Sequence, residues 1–112
     1  MNNFDIKITK KIKLLEVNNE MVHNFYYLIH GKIINESKTK YKPFKFVLFF
    51  DVFDVCEFLN SESYNENDIK DYIDELIFSY TQNIDSYENC NYFYELCNES
   101  IKNYNKLNTR SF

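Results

Sequence analysis

The segment FKFVLFFDVFDVCEFL, residues 44–59, decides the fold, because the spacing of its apolar side chains changes at Asp51. Before Asp51 the run is apolar on both faces and follows Pro43, which cannot donate to a ladder, so it predicts a strand whose start or edge holds the proline. After Asp51, a good N-cap residue, the apolar positions recur at helical spacing: Val52, Val55, Cys56 and Leu59. The chain is therefore expected to change from strand to helix at residue 51.

Two further strands are predicted upstream of this segment. In the first, apolar residues of one parity indicate a single buried face: Phe4, Ile6, Ile8, Ile12 and Leu14. The pair Asn18-Asn19 is typical of a tight hairpin turn, because Asn tolerates a positive φ. The second strand carries Phe25, Tyr27, Ile29 and Ile33, and Gly31 in its interior predicts a bulge or a bend.

Helical spacing continues downstream. One helix, capped by Asn65 or Asn67, has the apolar stripe Ile69, Tyr72, Ile73, Leu76, Ile77, Tyr80 and Ile84. A last helix, capped by Asp85 or Ser86, has the stripe Cys90, Phe93, Tyr94, Cys97, Ile101 and Tyr104. Short connections favour a meander over crossovers. We therefore predict one α+β domain over residues 1–112. A three-stranded antiparallel β-meander in residues 1–50 precedes two or three α-helices in residues 51–112, packed on one face in the order β-β-β-α-α-α.

Composition indicates where such a chain works. It has 10 Tyr, 11 Phe and one Gly, and it is rich in Asn, Lys and Ile, a bias typical of AT-rich coding sequence. This bias favours a low-GC bacterium, or a phage or mobile element living in one. The longest apolar run, residues 46–50, is far too short to span a bilayer, and the first residues do not resemble a signal peptide. We expect a cytoplasmic protein, in the host cell cytoplasm if a phage encodes it.

No pattern in the sequence predicts an enzyme. The two histidines, His23 and His30, are seven residues apart in one strand, so they point to opposite faces and cannot share a metal. The three cysteines, Cys56, Cys90 and Cys97, follow apolar helix stripes, which is typical of reduced core residues. One glycine cannot form a phosphate-binding loop. We therefore expect no catalytic residues, no metal site and no cofactor.

Charge separates the two halves of the chain. Residues 1–50 carry nine Lys and four acidic residues, whereas residues 51–112 carry thirteen acidic residues, three Lys and one Arg. The predicted partner-binding residues lie on the outer arc of the helix that follows Asn65: Asp68, Asp71, Asp74, Glu75 and Phe78. An aromatic residue within a charged rim is typical of an interface anchor, although Phe78 could instead pack under a neighbouring element.

These features favour a non-catalytic inhibitor or adaptor that binds a basic protein partner, such as a nucleic-acid-binding effector. Its carboxylates would imitate phosphates. A short, acidic chain without catalytic motifs, with carboxylates between residues 51 and 75, resembles the small inhibitors that phages carry, anti-CRISPR proteins among them.

Besides a small enzyme of unfamiliar type, two other functions remain open. In the first, exposed aromatic residues form a homodimer, and the protein is structural or self-associating. In the second, the lysine-rich strands bind nucleic acid directly, with Tyr26, Tyr27 and Tyr41 as stacking surfaces. The lysines concerned are Lys7, Lys10, Lys11, Lys13, Lys38, Lys40, Lys42 and Lys45.

Overall fold

The computed structural model describes residues 3–18 and 23–110. Its elements are β1 (Phe4–Asn18), β2 (His23–Asn35), β3 (Tyr41–Asp51), α1 (Val52–Leu59), α2 (Glu66–Thr81) and α3 (Asn91–Arg110). The strands form one antiparallel sheet in the order β1-β2-β3, and three helices follow, so the predicted α+β fold is confirmed. Asn19, the second residue of the hairpin turn predicted at Asn18-Asn19, lies outside the described residues. None of the described helices has the length and apolar character needed to cross a membrane.

The helices cover one face of the sheet, which we call the covered face. Alternate residues of β2 and β3 meet there as cross-strand pairs, such as Phe25 with Phe50 and Ile29 with Phe46. These side chains are at most 4% exposed, and they pack against Val55, Ile73, Ile77 and Phe93 from the helices. Full burial of each large apolar side chain contributes about 1.5–3 kcal/mol. Aromatic and aliphatic side chains of this core therefore hold the helices on the sheet.

The prediction of a single buried face for the first strand was wrong beyond Ile8. Ile8 pairs with Gly31 and Lys10 with His30, so the strand has a bulge between Ile8 and Lys10. One extra residue reverses the alternation of side chains between the two faces. Ile12 consequently lies on the face opposite the helices and is 39% exposed, whereas Lys11 and Lys13 lie on the covered face.

Gly31 is required because the ring of Phe44 lies close to its backbone, and not because its own strand has a bulge there. A Cβ atom at Gly31 would lie 2.3 Å from Cζ of Phe44 and 3.0 Å from the backbone oxygen of Lys7. The ring of Phe44 occupies that space and packs edge-on against Phe93, with 5.0 Å between ring centroids. The bulge predicted at this position lies in the neighbouring strand, β1.

Capping residues fix where two helices start. Asp51 and Asp54 form a capping box at α1, and Asn65 and Asp68 form one at α2, which confirms Asp51 and selects Asn65 of the two predicted caps. The cap predicted for α3 at Asp85 or Ser86 was wrong. Both side chains bond to Asn89, at 3.3 Å and 3.1 Å, and stabilise a turn. The helix starts only after that turn.

The third helix lies along the free edge of β3. The backbone N–H of Val47 donates to Oγ of Ser100 at 3.0 Å, and the hydroxyl of Tyr94 donates to the carbonyl of Pro43 at 2.7 Å. Because β3 is an edge strand, these helix side chains satisfy backbone groups that have no neighbouring strand. From this position α3 also borders the face of the sheet away from α2, where Tyr104 contacts Tyr26 with 5.5 Å between ring centroids.

We call that second side the open sheet face. Its side chains come from all three strands and include one carboxylate, Asp5, together with Lys7, Lys10, Ile12, Tyr26, Leu28, His30, Lys32, Ile34, Tyr41, Lys45, Val47 and Phe49. Val47 is buried beside α3, but Tyr41 and Phe49 are 59% and 56% exposed. The sheet therefore has an apolar core on one side and a mixed basic and aromatic surface on the other.

Candidate functional site

The acidic residues predicted to bind a partner all lie on or beside the outer surface of α2, but their surroundings differ. Asp71, Glu75 and Phe78 follow one another at i, i+4 and i+7, so they share a single outward strip. All three are exposed, and Phe78 is 62% exposed. The alternative that Phe78 packs under a neighbouring element was therefore wrong. We call these three residues the outer strip of α2.

Asp68 stabilises the start of the helix instead. Its carboxylate accepts the backbone N–H of Asn65 at 2.8 Å, while the side-chain oxygen of Asn65 accepts the N–H of Asp68 at 2.9 Å. This reciprocal arrangement satisfies two N–H groups that have no partner within the helix. Asp68 is half-buried, and its charge also lies where the helix dipole favours an anion. It contributes negative potential to the surface while one of its oxygens is bonded.

Asp74 connects α2 to the sheet. Its carboxylate lies 2.7 Å from Nζ of Lys11, which also donates to the carbonyl of Lys70 at 3.3 Å. Lys11 reaches this position because the bulge in β1 turns it toward the helices. The carboxylate of Asp74 is thus partly neutralised, whereas no ion pair involves Asp71 or Glu75 in the described part of the chain.

A cleft of about 660 Å³ lies between β1 and α2, next to the outer strip. Its floor is apolar and its rim polar. The floor consists of Phe4, Ile6, Ile8, Ile77 and Ile84, and the rim includes Asp5, Lys7, Lys11, Asp74 and Gln82. Phe78 lines the mouth of this cleft, so an exposed aromatic ring adjoins an apolar cavity. A cleft with an apolar floor and polar groups around it is suited to receive an amphipathic side chain from a partner.

Aromatic residues of α1 extend the surface on the other flank of α2. Phe58, which is 43% exposed, lies with its ring centroid 5.2 Å from that of Tyr72. Burial raises the pKa of Tyr72, and the negative charges of Asp54, Asp51 and Glu57 raise it further. The carboxylates of α1 and its N-cap therefore act on this flank of α2. Sequence reasoning missed Phe58, although its position off the Val55 stripe indicated an exposed ring.

The lysines of the strands divide between the two faces of the sheet. Lys11, Lys13 and Lys42 lie on the covered face, and Lys42 donates to the carbonyl of Tyr87. Lys38 and Lys40 belong to the turn between β2 and β3. Lys7, Lys10 and Lys45 lie on the open sheet face. Lys32, which the prediction omitted, lies there too.

Of the three tyrosines predicted to stack on bases, Tyr41 is 59% exposed and Tyr26 is half-buried on the open sheet face. Tyr27 was a wrong choice. It points into the core and is only 3% exposed.

The cysteines and histidines form no reactive constellation in residues 3–18 and 23–110. No three residues among His, Cys, Asp and Glu are grouped to hold a metal ion there. Burial raises the pKa of the Cys97 thiol to about 12 and also raises that of Cys90, which disfavours the nucleophilic thiolate. His23 packs on Phe25 on the covered face, and His30 lies on the open sheet face, as their predicted opposite orientation requires.

The surfaces that this geometry offers are therefore an acidic and aromatic one on the helices and a basic and aromatic one on the sheet. Comparison with protein-family models, with curated proteins and with solved structures found no match for this chain.

Proposed function

We propose that this protein is a non-catalytic inhibitor or adaptor that binds a basic protein partner through the outer strip of α2 and the adjacent cleft. The observation that supports this most directly is the exposed ring of Phe78, which borders a cleft with an apolar floor and lies one turn after Asp74 and Glu75. Exposing a large aromatic side chain to water is unfavourable, and such residues recur as anchors at the centre of interfaces. Docking would bury this ring and fill the cleft.

Charge indicates what kind of partner fits. Asp71 and Glu75 are exposed on the outer strip, and Asp51, Asp54 and Glu57 lie around Tyr72 on the neighbouring flank. A partner with lysine or arginine side chains opposite these carboxylates associates with them faster than an uncharged partner does. Acidic proteins are repelled, so the same charges give the surface selectivity for basic partners. A protein groove that normally holds nucleic acid has this character, because it presents cations at the spacing of phosphates.

The finer proposal is that the partner is a nucleic-acid-binding effector and that this protein occupies its groove in place of the nucleic acid. A phage or mobile-element origin, as expected from the AT-rich composition, agrees with an inhibitor of a host effector. On this proposal the protein and a nucleic acid compete for the partner, so either one displaces the other.

The test begins with capture of partners from a host lysate and continues with the purified partner, whose dissociation constant is measured by titration calorimetry. The first variant is Phe78→Ala, and the second combines Asp71→Lys with Glu75→Lys. Asp74 is left unchanged, because its replacement would also break the ion pair with Lys11. The matched control combines Glu36→Lys with Glu95→Lys, which makes the same change of charge at exposed positions outside α1 and α2.

We expect Phe78→Ala to weaken binding by about thirtyfold, the loss of a hot-spot side chain worth about 2 kcal/mol. The double charge reversal should weaken it at least as much and reduce its dependence on salt. The control should bind within about threefold of the unmodified protein. Unchanged affinity in both test variants would exclude this surface, and failure of nucleic acid to compete would exclude the groove-occupying mechanism.

A further inference from the structure

Basic side chains are concentrated in a band across the open sheet face. Lys10, His30 and Lys45 pair across β1, β2 and β3, so they form one row about 10 Å wide. Lys7 and Lys32 pair in the next row along the strands. We call these five residues the basic band. None of the five forms an ion pair in the part of the chain that the structure describes, and Lys32 instead lies 4.5 Å from the ring centroid of Tyr41.

Positive charges within the band repel one another. Burial lowers the pKa of His30, and the positive charges of Lys45 and Lys10 lower it further. Lys32, Lys45 and His30 also line a groove of about 520 Å³ between this part of the sheet and α3, together with Tyr41, Asn98 and Ile101. An anion in this groove would relieve the repulsion, which gives the band a charge preference for its ligand.

Aromatic side chains border the basic band at both ends. Tyr41 lies at one end of β3 and Phe49 at the other, about 26 Å apart along the strand. Phe49 packs beside Tyr26, with 4.9 Å between ring centroids, and Tyr26 in turn contacts Tyr104 of α3. A second groove, of about 480 Å³, includes these three rings, and the residues of α3 that line it lie on the opposite flank of the helix from those that line the first groove. Along the strands, the open sheet face is therefore basic near Tyr41 and aromatic near Phe49, and we call this stretch of the face the track.

We propose that the open sheet face binds single-stranded nucleic acid along this track, through residues that, apart from Lys7, lie outside the proposed partner site on α2. Nucleic acid fits better than an acidic peptide, because it offers a regular row of phosphates for the basic band and flat bases for exposed rings at each end. Single strands fit better than a duplex, because only unpaired bases expose their faces for stacking. A lone carboxylate, Glu99, lies beside the aromatic groove and opposes the ligand there.

The probe is a fluorescein-labelled oligothymidylate of about ten nucleotides, within the usual site size, and anisotropy is recorded at several salt concentrations. Four phosphate contacts predict a slope of about −3 for the logarithm of the binding constant against the logarithm of salt concentration. We expect the combination of Lys10→Glu with Lys45→Glu to weaken binding by at least about tenfold and to reduce that slope. The matched control combines Lys38→Glu with Lys70→Glu, two exposed lysines outside the open sheet face, and should bind within about threefold of the unmodified protein.

Two single substitutions and one control substitution test the aromatic part of the track. Phe49→Ala should weaken binding by about tenfold with an unchanged salt slope, because a stacked base is lost and no phosphate contact is. Phe53→Ala, which removes an equally exposed ring from α1, should have no effect. Glu99→Gln should strengthen binding, since it removes the opposing charge. Circular dichroism of every variant establishes that it remains folded.

Binding should also raise the pKa of His30, which is measured by NMR titration of its ring protons with and without the oligonucleotide. The proposal is overturned if the oligonucleotide does not bind at low salt or if both charge variants lose affinity equally. It is also overturned if polyglutamate competes as effectively as the oligonucleotide, which would indicate an acidic protein ligand. Preference for duplex over single strands would contradict the stacking contacts.

Discussion

Phe49 and Phe50 are neighbours in β3, yet their surroundings have little in common. Phe50 is 2% exposed and lies between Phe25 and Tyr72 in the core, whereas Phe49 is 56% exposed on the open sheet face. Lys10 and Lys11 repeat this contrast in β1, because Lys11 pairs with Asp74 while Lys10 stands in the basic band. The same residue types thus serve stability on one face and surface chemistry on the other. The helices, which cover only one face, make this difference.

The largest effect is expected when each of these two phenylalanines is replaced in turn. Phe50→Ala removes a ring from a packed core, and we expect it to lower the free energy of unfolding by about 3–5 kcal/mol. Phe49→Ala removes an exposed ring and should lower it by less than about 1 kcal/mol. Urea unfolding followed by circular dichroism measures both. Equal losses would mean that the open sheet face is covered in solution, for instance by a second copy of the chain.

A smaller effect on the free energy of unfolding is expected at Gly31, where the ring of Phe44 lies directly against the backbone. Gly31→Ala places a methyl group within the ring of Phe44 and should cost about 1–3 kcal/mol. Replacing the ring with a smaller side chain should relieve the clash. Phe44→Leu should therefore lower the free energy of unfolding by less in the Gly31→Ala background than in the unmodified protein. Additive losses in this double-mutant cycle would show that some other contact, and not the ring, limits the space.

The next largest effect is expected at alkaline pH, which should lower the free energy of unfolding. In the folded protein burial raises the pKa of Cys97 from 9.0 and that of Tyr94 from 10.0, each to about 12. Above pH 9 the unfolded chain therefore releases protons that the folded chain retains, and the free energy of unfolding falls as pH rises toward 12. The urea midpoint measured at several pH values should decline over this range. Cys97→Ala should make the decline shallower, and an unchanged profile would contradict burial of the thiol.

The ion pair between Lys11 and Asp74 should have the smallest effect. Because Asp74 remains partly exposed, we expect a coupling free energy of about 0.2–1 kcal/mol in a cycle of Lys11→Met and Asp74→Asn. The coupling should decrease at high salt, since solvent ions screen the pair. Lys10→Met with Asp74→Asn serves as the control and should show no coupling. Coupling through Lys10 would place the bulge in β1 at a different residue.

Local signals in the sequence were sufficient for the order of elements and for two helix starts. The change of spacing at Asp51 and the polar residue at Asn65 are both read within a few neighbouring positions, and capping depends on such short distances. The start of α3 was missed because Asp85 and Ser86 can cap a turn as well as a helix. Which of the two they stabilise depends on Asn89 and on packing that follows later in the chain.

The bulge in β1 was beyond sequence reasoning for a different reason. Ile8 and Ile12 have the same parity, so an unbroken strand fits the pattern as well as a bulged one does. Contact between Lys11 and Asp74, 63 residues apart, becomes visible only in three dimensions. The same holds for the predicted site. The spacing of Asp71, Glu75 and Phe78 placed them on one strip, whereas the roles of Asp68 and Asp74 depend on their hydrogen-bond and ion-pair partners.

The position of α3 on the edge of β3 limits how this sheet can grow. With Val47 bonded to Ser100 and Pro43 to Tyr94, a foreign strand finds backbone groups of β3 already occupied on that side. Strand addition is then favoured at β1, and two copies joined through β1 would each present the edge beside α3 outward. Such a pairing would end at two chains, so a single helix disfavours indefinite cross-β polymerisation of an aromatic-rich, three-stranded sheet.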